Sequence, residues 1–273
     1  MLMELDRSKF ECLTELVSQS NHIEEKAIVT GNNPGRIFVL DSNNPRSALI
    51  WPANNDGFIF VGYANDPVFN SAAKNYIEQK LVPELKALKL DYFECIGNSL
   101  DWFTTIEKLF SDRSLSSWKQ NLYQLPENNS LDALMLDLDD NYELVEVTKD
   151  FLNRVDLTNI AFLQDCLSEF WGSLAQFFEH GMAFVIIYNN EIVSICYSGF
   201  VFHNTHAIGI ETIEPYRGKR LALQIATAFA QAAAVRGVCL VWDCMAENVP
   251  SNKLAQRLGF QLQYTYYGYE FEL

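Results

Sequence analysis

The sequence predicts a mixed α/β (α+β) protein of two domains, and three observations carry that prediction. The chain has 273 residues, more than one ordinary domain needs. A polar segment, Leu125 to Asp132 (LPENNSLD), separates two apolar regions, so the domains are expected at 1–128 and 129–273. Downstream of it the apolar periodicity spells helix, three strands, helix, strand, helix, strand, and upstream the same order recurs more faintly.

In the second domain, Asp156 or Thr158 can cap a helix whose apolar residues, from Ile160 to Phe178, recur at steps of three and four until Gly181. Its Phe and Trp stripe reads as core. The runs MAFVIIYNNEIVSICYSGFVFH and THAIGIETIEP follow, with a turn at Asn189-Asn190 and a reversal at His203 to His206, and read as a three-strand antiparallel meander. Leu221, Ile225 and Phe229, four apart among alanines, predict a helix from Lys219 to Arg236 ended by Gly237. A strand VCLVWD, a helix from Pro250 to Leu258 and an aromatic strand from Phe260 to Phe271 complete the order.

In the first domain a helix near Ser8 to Ser20 precedes strands RIFVL, SALIW and GFIFVGY. A helix opened by Asp66-Pro67, a strand DYFECI, a helix from Leu100 to Phe110 capped by Ser99 and an extended run from Trp118 to Leu125 follow. One reading is an internal duplication. The other is that many α+β domains share so coarse a string of elements.

A formal net charge of -15 would repel a phosphate backbone, which argues against nucleic acid as a partner. No apolar run approaches the length of a membrane span, and the acidic N-terminus lacks the basic start of a signal peptide, so a cytoplasmic location away from membranes is expected. The six cysteines form no CxxC pair and read as thiols, with no metal site. His203 and His206 have a spacing that can suggest a metal, yet they fall at a turn with no third ligand nearby and read as solvent-facing. Against the acidic background, Glu214 to Arg257 holds six basic and three acidic residues, a net +3. That island is either an anion site or a solvated helix face.

The stretch IGIETIEPYRGKRLALQIATAFAQAAA, Ile208 to Ala234, decides between them. A strand ends in a turn carrying Arg217-Gly218-Lys219 and feeds directly into a helix, whose first N–H groups and dipole suit a phosphate. This stretch resembles the acyl-CoA loop of the GNAT superfamily of N-acetyltransferases, with its pattern Q/R-x-x-G-x-G/A. Here the pattern reads Arg217-Gly218-Lys219-Arg220-Leu221-Ala222, with Arg220 where the family has its central glycine. A second run, Asn248-Val249-Pro250-Ser251 to Leu258-Gly259-Phe260, is similar to the family's N-x-x-A/S…GF segment. Together they look closest to a subgroup with an extra N-terminal domain.

The resemblance implies a GNAT fold for the second domain, with a central mixed, largely antiparallel sheet flanked by helices, and acetyl-CoA as acyl donor. It implies cofactor contacts from Thr212, Ile213, Arg217, Gly218, Lys219, Arg220, Leu221, Ala222, Asn248 and Ser251, with the acetyl group near Thr212 and Ile213. Glu211 is the best-placed base for a direct attack by an amine of a small molecule or a protein; its other reading is a strand residue paired across the sheet. The family's acid-bearing tyrosine position is Ala255, leaving Tyr264, Tyr266, Tyr267 or Cys244 as substitutes. Without an acid, a thiolate of pKa about 8 to 9 still departs. A degenerate module that binds acyl-CoA or a partner without turnover is the alternative. In the first domain the corresponding turn, Asn65 to Ser71, has neither glycine nor basic residue, which implies a cofactor site lost there. The oligomeric state stays open, with a homodimer as one option.

Overall fold

A computed structural model describes residues 1–52, 57–126 and 136–273. The chain forms two compact units, Met1–Gln120 with Tyr266–Leu273, and Asn121–Thr265. The boundary therefore differs from the expected 128/129, which lies outside the described residues. The tail expected in the second domain belongs to the first unit, because its strand hydrogen-bonds there and carries Tyr269 and Phe271 into that core.

The first unit opens with β1 (Met3–Glu4), a 3-10 turn (Arg7–Leu13), α1 (Thr14–Ser18) and α2 (Glu24–Val29). Strands β2 (Gly35–Val39), β3 (Ser47–Pro52) and β4 (Phe58–Gly62) are antiparallel neighbours. Helix α3 (Pro67–Tyr76) runs through a π-helical turn (Ile77–Leu81) into α4 (Val82–Ala87). The chain returns in β5 (Tyr92–Gly97), parallel to β4, followed by α5 (Leu100–Leu109) and β6 (Ser116–Gln124), along which it crosses into the second unit. Asp66 starts α3 as expected, its carboxylate accepting from Val68 N–H at 3.0 Å and Phe69 N–H at 3.1 Å, with Pro67 supplying the first helical φ.

The second unit adds β7 (Tyr142–Glu146), α6 (Ile160–Ser168), α7 (Leu174–His180), β8 (Ala183–Tyr188), β9 (Glu191–Phe202) and β10 (Thr205–Thr212). Then come α8 (Leu221–Val235), β11 (Cys239–Met245), α9 (Val249–Arg257) and β12 (Gln261–Glu272). The meander β8-β9-β10 is antiparallel as expected, and β10 pairs in parallel with β11. The single helix expected over 160–178 is two. The chain breaks at Gly172-Ser173, and Ser173 caps α7 by accepting from Gln176 N–H. Asn159 precedes α6, and its side chain bonds both main-chain groups of Ile192 on β9.

Each unit repeats one plan: antiparallel strands, a helix, a strand parallel to the last of them, a second helix. In the first, β12 lies beside β5; in the second, β6 lies beside β11, with Leu125 N–H bonded to Leu240 C=O at 2.9 Å. The second unit's sheet is covered on both faces. Helices α8 and α9 bury Leu221, Ile225, Phe229 and Leu258 with Val193, Leu240 and Phe260 on one side, and α6 and α7 bury Leu163, Leu167, Trp171 and Phe177 with Ile195 and Val201 on the other. That is why Ile192 to Val201 forms an unbroken buried run instead of alternating. Among the described residues no helix is long and apolar enough to cross a membrane.

Candidate functional site

Strand β10 keeps its partner on one side and loses it on the other. Against β9 it stays paired as far as Thr212 with Ser194, but against β11 pairing covers only Thr205 to Ala207 with Cys239 to Val241. The strands part at a bulge between Ala207 and Ile208, where β9 carries the extra residue Gly199. Ile213 N–H donates to Val193 C=O at 3.1 Å. Since antiparallel residues alternate in the direction of their main-chain bonds, Ile210 and Thr212 turn theirs toward the gap. Of the two residues expected beside an acetyl group, Thr212 thus offers its N–H there, whereas that of Ile213 is taken by Val193.

The gap leads to the turn before α8. Gly218 has φ +76°, and a side chain built on it would meet nothing within 4 Å, so glycine is needed for its conformation and leaves the face open. Arg220 has φ +63° at the helix N-cap, the left-handed conformation that the family's glycine would adopt without strain. The arginine therefore keeps the glycine path instead of rerouting the backbone. No side chain caps α8, so its first N–H groups stay available beside Leu221 and Ala222. Arg220 is exposed and makes no ion pair among the described residues. Lys219 sits with its ammonium 4.5 Å from the Tyr216 ring centroid. A compact dianion fits this turn by charge and by main-chain donors together.

Arg217 is engaged otherwise. Its Nε donates to Thr212 C=O at 2.9 Å and its Nη2 to Glu211 Oε1 at 3.0 Å. The turn is thereby tied back onto β10, and while the Glu211 main chain pairs with Ile195 across the sheet, its carboxylate is held by Arg217. Glu211 and Gly209 share the α6 face of β10, opposite Ile208 and Ile210, which pack toward α8. Gly209 is small because the Tyr197 ring lies over it, 2.5 Å from where a Cβ would stand. Phe170 packs on Tyr197 and Phe200, giving that face an aromatic floor. Burial and then the carboxylates of Glu169, Glu211 and Asp165 push the Cys166 thiol up to about 12.

The far wall is α9. Asn248 caps it, accepting from Ser251 N–H at 3.2 Å, and Ser251 Oγ accepts from Trp242 Nε1 at 2.9 Å. Asn248 thus starts α9 and Ser251 ties it to β11, structural duties the sequence did not reveal. The main organiser is Asn252, which sequence reasoning missed. Its amide donates to Met245 C=O and Asn248 C=O, and its oxygen accepts from Asn121 Nδ2 at 2.8 Å and Tyr123 O–H at 2.7 Å. Asparagine is a poor helix former, so its place inside α9 was the available signal. Ala255 is fully buried in the core under α8. Among the substitutes for an acid, Tyr266 and Tyr267 belong to the first unit and Tyr264 to the second, while Cys244 lies on β11 by Ser251, its thiol held protonated by burial.

His203 does sit at the turn, with φ +52°. His206 is a correction: it is buried, with Nδ1 2.8 Å from the Ser198 hydroxyl, and burial depresses its imidazole to about 4. It lies within β10, paired with Val201 of β9, and not in the turn.

In the first unit the equivalent positions are filled by the protein itself. The Asp66 carboxylate occupies the N–H groups at the start of α3. Trp102, at the third position of α5 where α9 has Ser251, is fully buried and donates its indole N–H to Gly62 C=O at 3.2 Å, across the ends of β4 and β5. Gly97 is glycine because Trp102 presses on it, 2.2 Å from a built Cβ.

The second unit thus has an open strand edge running into an uncapped, basic helix start, while the first has both features closed. Comparison with known proteins follows the same line. A Bacillus subtilis (strain 168) protein named as an uncharacterized N-acetyltransferase, YdfB, is 26% identical over 270 residues, 98% of each chain. A solved GCN5-related N-acetyltransferase-like protein from Streptococcus suis 89/1591 superposes with TM-score 0.71 at 21% identity, over 97% of this chain and 98% of that one. A tandem GNAT protein from the clavulanic acid biosynthesis pathway gives TM-score 0.65 at 10% identity, over 100% and 98%. These likenesses span both units and support a two-domain GNAT-like architecture. The family model described as GNAT acetyltransferase matches residues 14–269, and the chain therefore belongs to the GNAT acetyltransferase family.

Proposed function

We infer that the protein is an N-acetyltransferase that uses acetyl-CoA to acetylate an amine by direct attack while both substrates are bound. The observation that carries this reading is the edge of β10 from Ile208 to Thr212, unpaired toward β11 and continuous with the Arg217–Arg220 turn. The Gly218 to Ala222 main chain, with Arg220 and Lys219, would hold the pyrophosphate, and Asn248 and Ser251 keep the opposite wall upright. Acetyl-CoA supplies an acetyl group activated as a thioester. Thr212 N–H would donate to the carbonyl oxygen as charge develops on it. Glu211 would accept the proton that the attacking ammonium must lose, directly or through water.

The carboxylates of Glu169, Asp165 and Glu211 near Cys166, over the aromatic floor of Tyr197 and Phe170, favour a cationic acceptor with an apolar body, whether a small molecule or a protein side chain. On this reading the enzyme works in the cytoplasm, where its six free cysteines would stay reduced. The test is release of free CoA thiol from acetyl-CoA against a panel of amines and amino acids. Turnover that requires an amine and falls sharply in Glu211→Gln supports the reading, and binding without turnover on any amine contradicts it.

A second reading, an acyl-CoA-binding module without turnover, rests on Ala255 standing where the family's acid would be and on Glu211 being tied to Arg217. Saturable acetyl-CoA binding with no amine-dependent thiol release would favour it.

A further inference from the structure

The buried run Ile192 to Val201 of β9 is apolar except for Ser194 and Ser198, both fully buried. A buried hydroxyl is tolerated only when hydrogen-bonded, and each serine is. Ser198 serves the core, bonding the Met182 main chain and the His206 ring. Ser194 serves β10: its Oγ donates to Glu211 C=O at 3.1 Å and lies 2.7 Å from Thr212 Oγ1. A serine has one proton to give, so with that proton on the carbonyl the Thr212 hydroxyl is the donor in the second contact.

The carbonyl already has a main-chain donor. Ile213 N–H bonds Val193 C=O, which makes Glu211 and Ile195 the next hydrogen-bonded pair of the ladder and Thr212 and Ser194 the close, unbonded pair between them. The Ser194 hydroxyl is therefore a second donor on one oxygen, which the sheet itself does not require. Its effect lies at the other end of the same group. Glu211 C=O and Thr212 N–H belong to one planar trans peptide, so fixing the oxygen also fixes the N–H, which points the opposite way, into the gap. Donation to the oxygen polarises the peptide as well, and that strengthens its N–H as a donor. The following peptide is held in turn, through Arg217 on Thr212 C=O.

We propose that Ser194 is a positioning residue for acetyl transfer: the chain from Thr212 O–H through Ser194 O–H to Glu211 C=O aligns and strengthens the Thr212 N–H that would meet the thioester oxygen. The proposal rests on the acetyl-CoA reading of the β10 edge, and Ser194, being fully buried, acts only through that peptide. Its test needs no amine. The full chain is saturated with acetyl-CoA carrying carbon-13 at the acetyl carbonyl, and the resonance of the bound carbonyl is measured in the parent, in Ser194→Ala and in Thr212→Val. Hydrogen bonding to a carbonyl oxygen moves this resonance downfield. The parent should show a downfield displacement from free acetyl-CoA, reduced by about a quarter in Ser194→Ala and by less in Thr212→Val, which breaks the first link and leaves the buried serine in place. Affinity for acetyl-CoA should stay within about twofold in both, since the pyrophosphate contacts are untouched. A merely structural role would lower the melting temperature and leave the displacement at the parent's value. An unchanged displacement in either variant overturns the proposal and leaves the acetyl-CoA reading standing. No displacement in the parent overturns that reading, and the proposal with it.

Discussion

Arg217 and Glu211 form an ion pair of 3.0 Å between the turn before α8 and the strand that leads into it. The same guanidinium holds Thr212 C=O, so one side chain fixes both the carboxylate and the edge of β10 that borders the gap. Both partners are substantially exposed, so the pair contributes little to stability, and its consequence is positional.

That coupling predicts a pattern in mutant kinetics. Glu211→Gln should lower kcat by about 100-fold or more with KM little changed, as expected for loss of a general base. Arg217→Ala should cost less, about tenfold, and the double variant should be no slower than Glu211→Gln alone, because the two act as a unit. Additive losses would show that Arg217 acts through something other than Glu211.

Arg220 separates strain from charge. Its left-handed conformation costs about 1 kcal/mol that glycine does not incur, and glycine loses a similar amount through its freer unfolded chain. Arg220→Gly should therefore melt within about two degrees of the parent, while Arg220→Val should melt several degrees lower. Both should bind acetyl-CoA about tenfold more weakly, since both lose the cation. Thermal melts and calorimetry on the three proteins check this directly.

Trp102 fills the first unit's cleft, and its removal is expected to destabilise without creating function. Trp102→Ala should cost about 3 to 5 kcal/mol in denaturant unfolding of the first unit. Calorimetry should still count one acetyl-CoA per chain, because the Asp66 carboxylate continues to occupy the helix start. A second bound equivalent would mean that the plug alone had closed a competent site.

Buried titratable groups give the two ends of the pH range opposite signs. His206 is depressed from 6.5 to about 4 by burial, so the unfolded chain binds more protons between those values. Its contribution is complete above about pH 6.5 and is lost as pH falls toward 4, on the order of 3 kcal/mol. Glu25, fully buried, is raised from 4.5 to about 8 by burial, so its contribution is lost as pH rises through that interval. His206→Asn should flatten the acid limb of a stability–pH curve and Glu25→Gln the alkaline limb. His22, also depressed to about 4 by burial, adds to the acid limb in both proteins.

The sequence made local information readable and little else. A glycine among basic residues, directly before an apolar helix without a capping side chain, lies within six positions, and the structure has the turn and helix where they were expected. The parting of β10 from β11 depends on a bulge opposite Gly199, which no spacing within β10 records. The apolar steps from Ile160 to Phe178 persist across the break at Gly172-Ser173, since both helices bury the same face, and so read as one helix. The aromatic run identified the last strand, but not that its second half pairs with β5. The partners of Arg217 and Asn252 were hidden because a side chain's hydrogen bonds are set by packing, and a residue type gives only its capacity to make them.

The central claim is that the second unit's strand edge and basic turn bind acetyl-CoA. It is tested most directly by the melting temperature of the full chain with and without millimolar acetyl-CoA, in the parent and in Arg220→Glu. A ligand bound only by the folded state raises the melting point. The account predicts a rise of several degrees in the parent that the charge reversal abolishes. No rise in the parent, or an equal rise in both proteins, would contradict it.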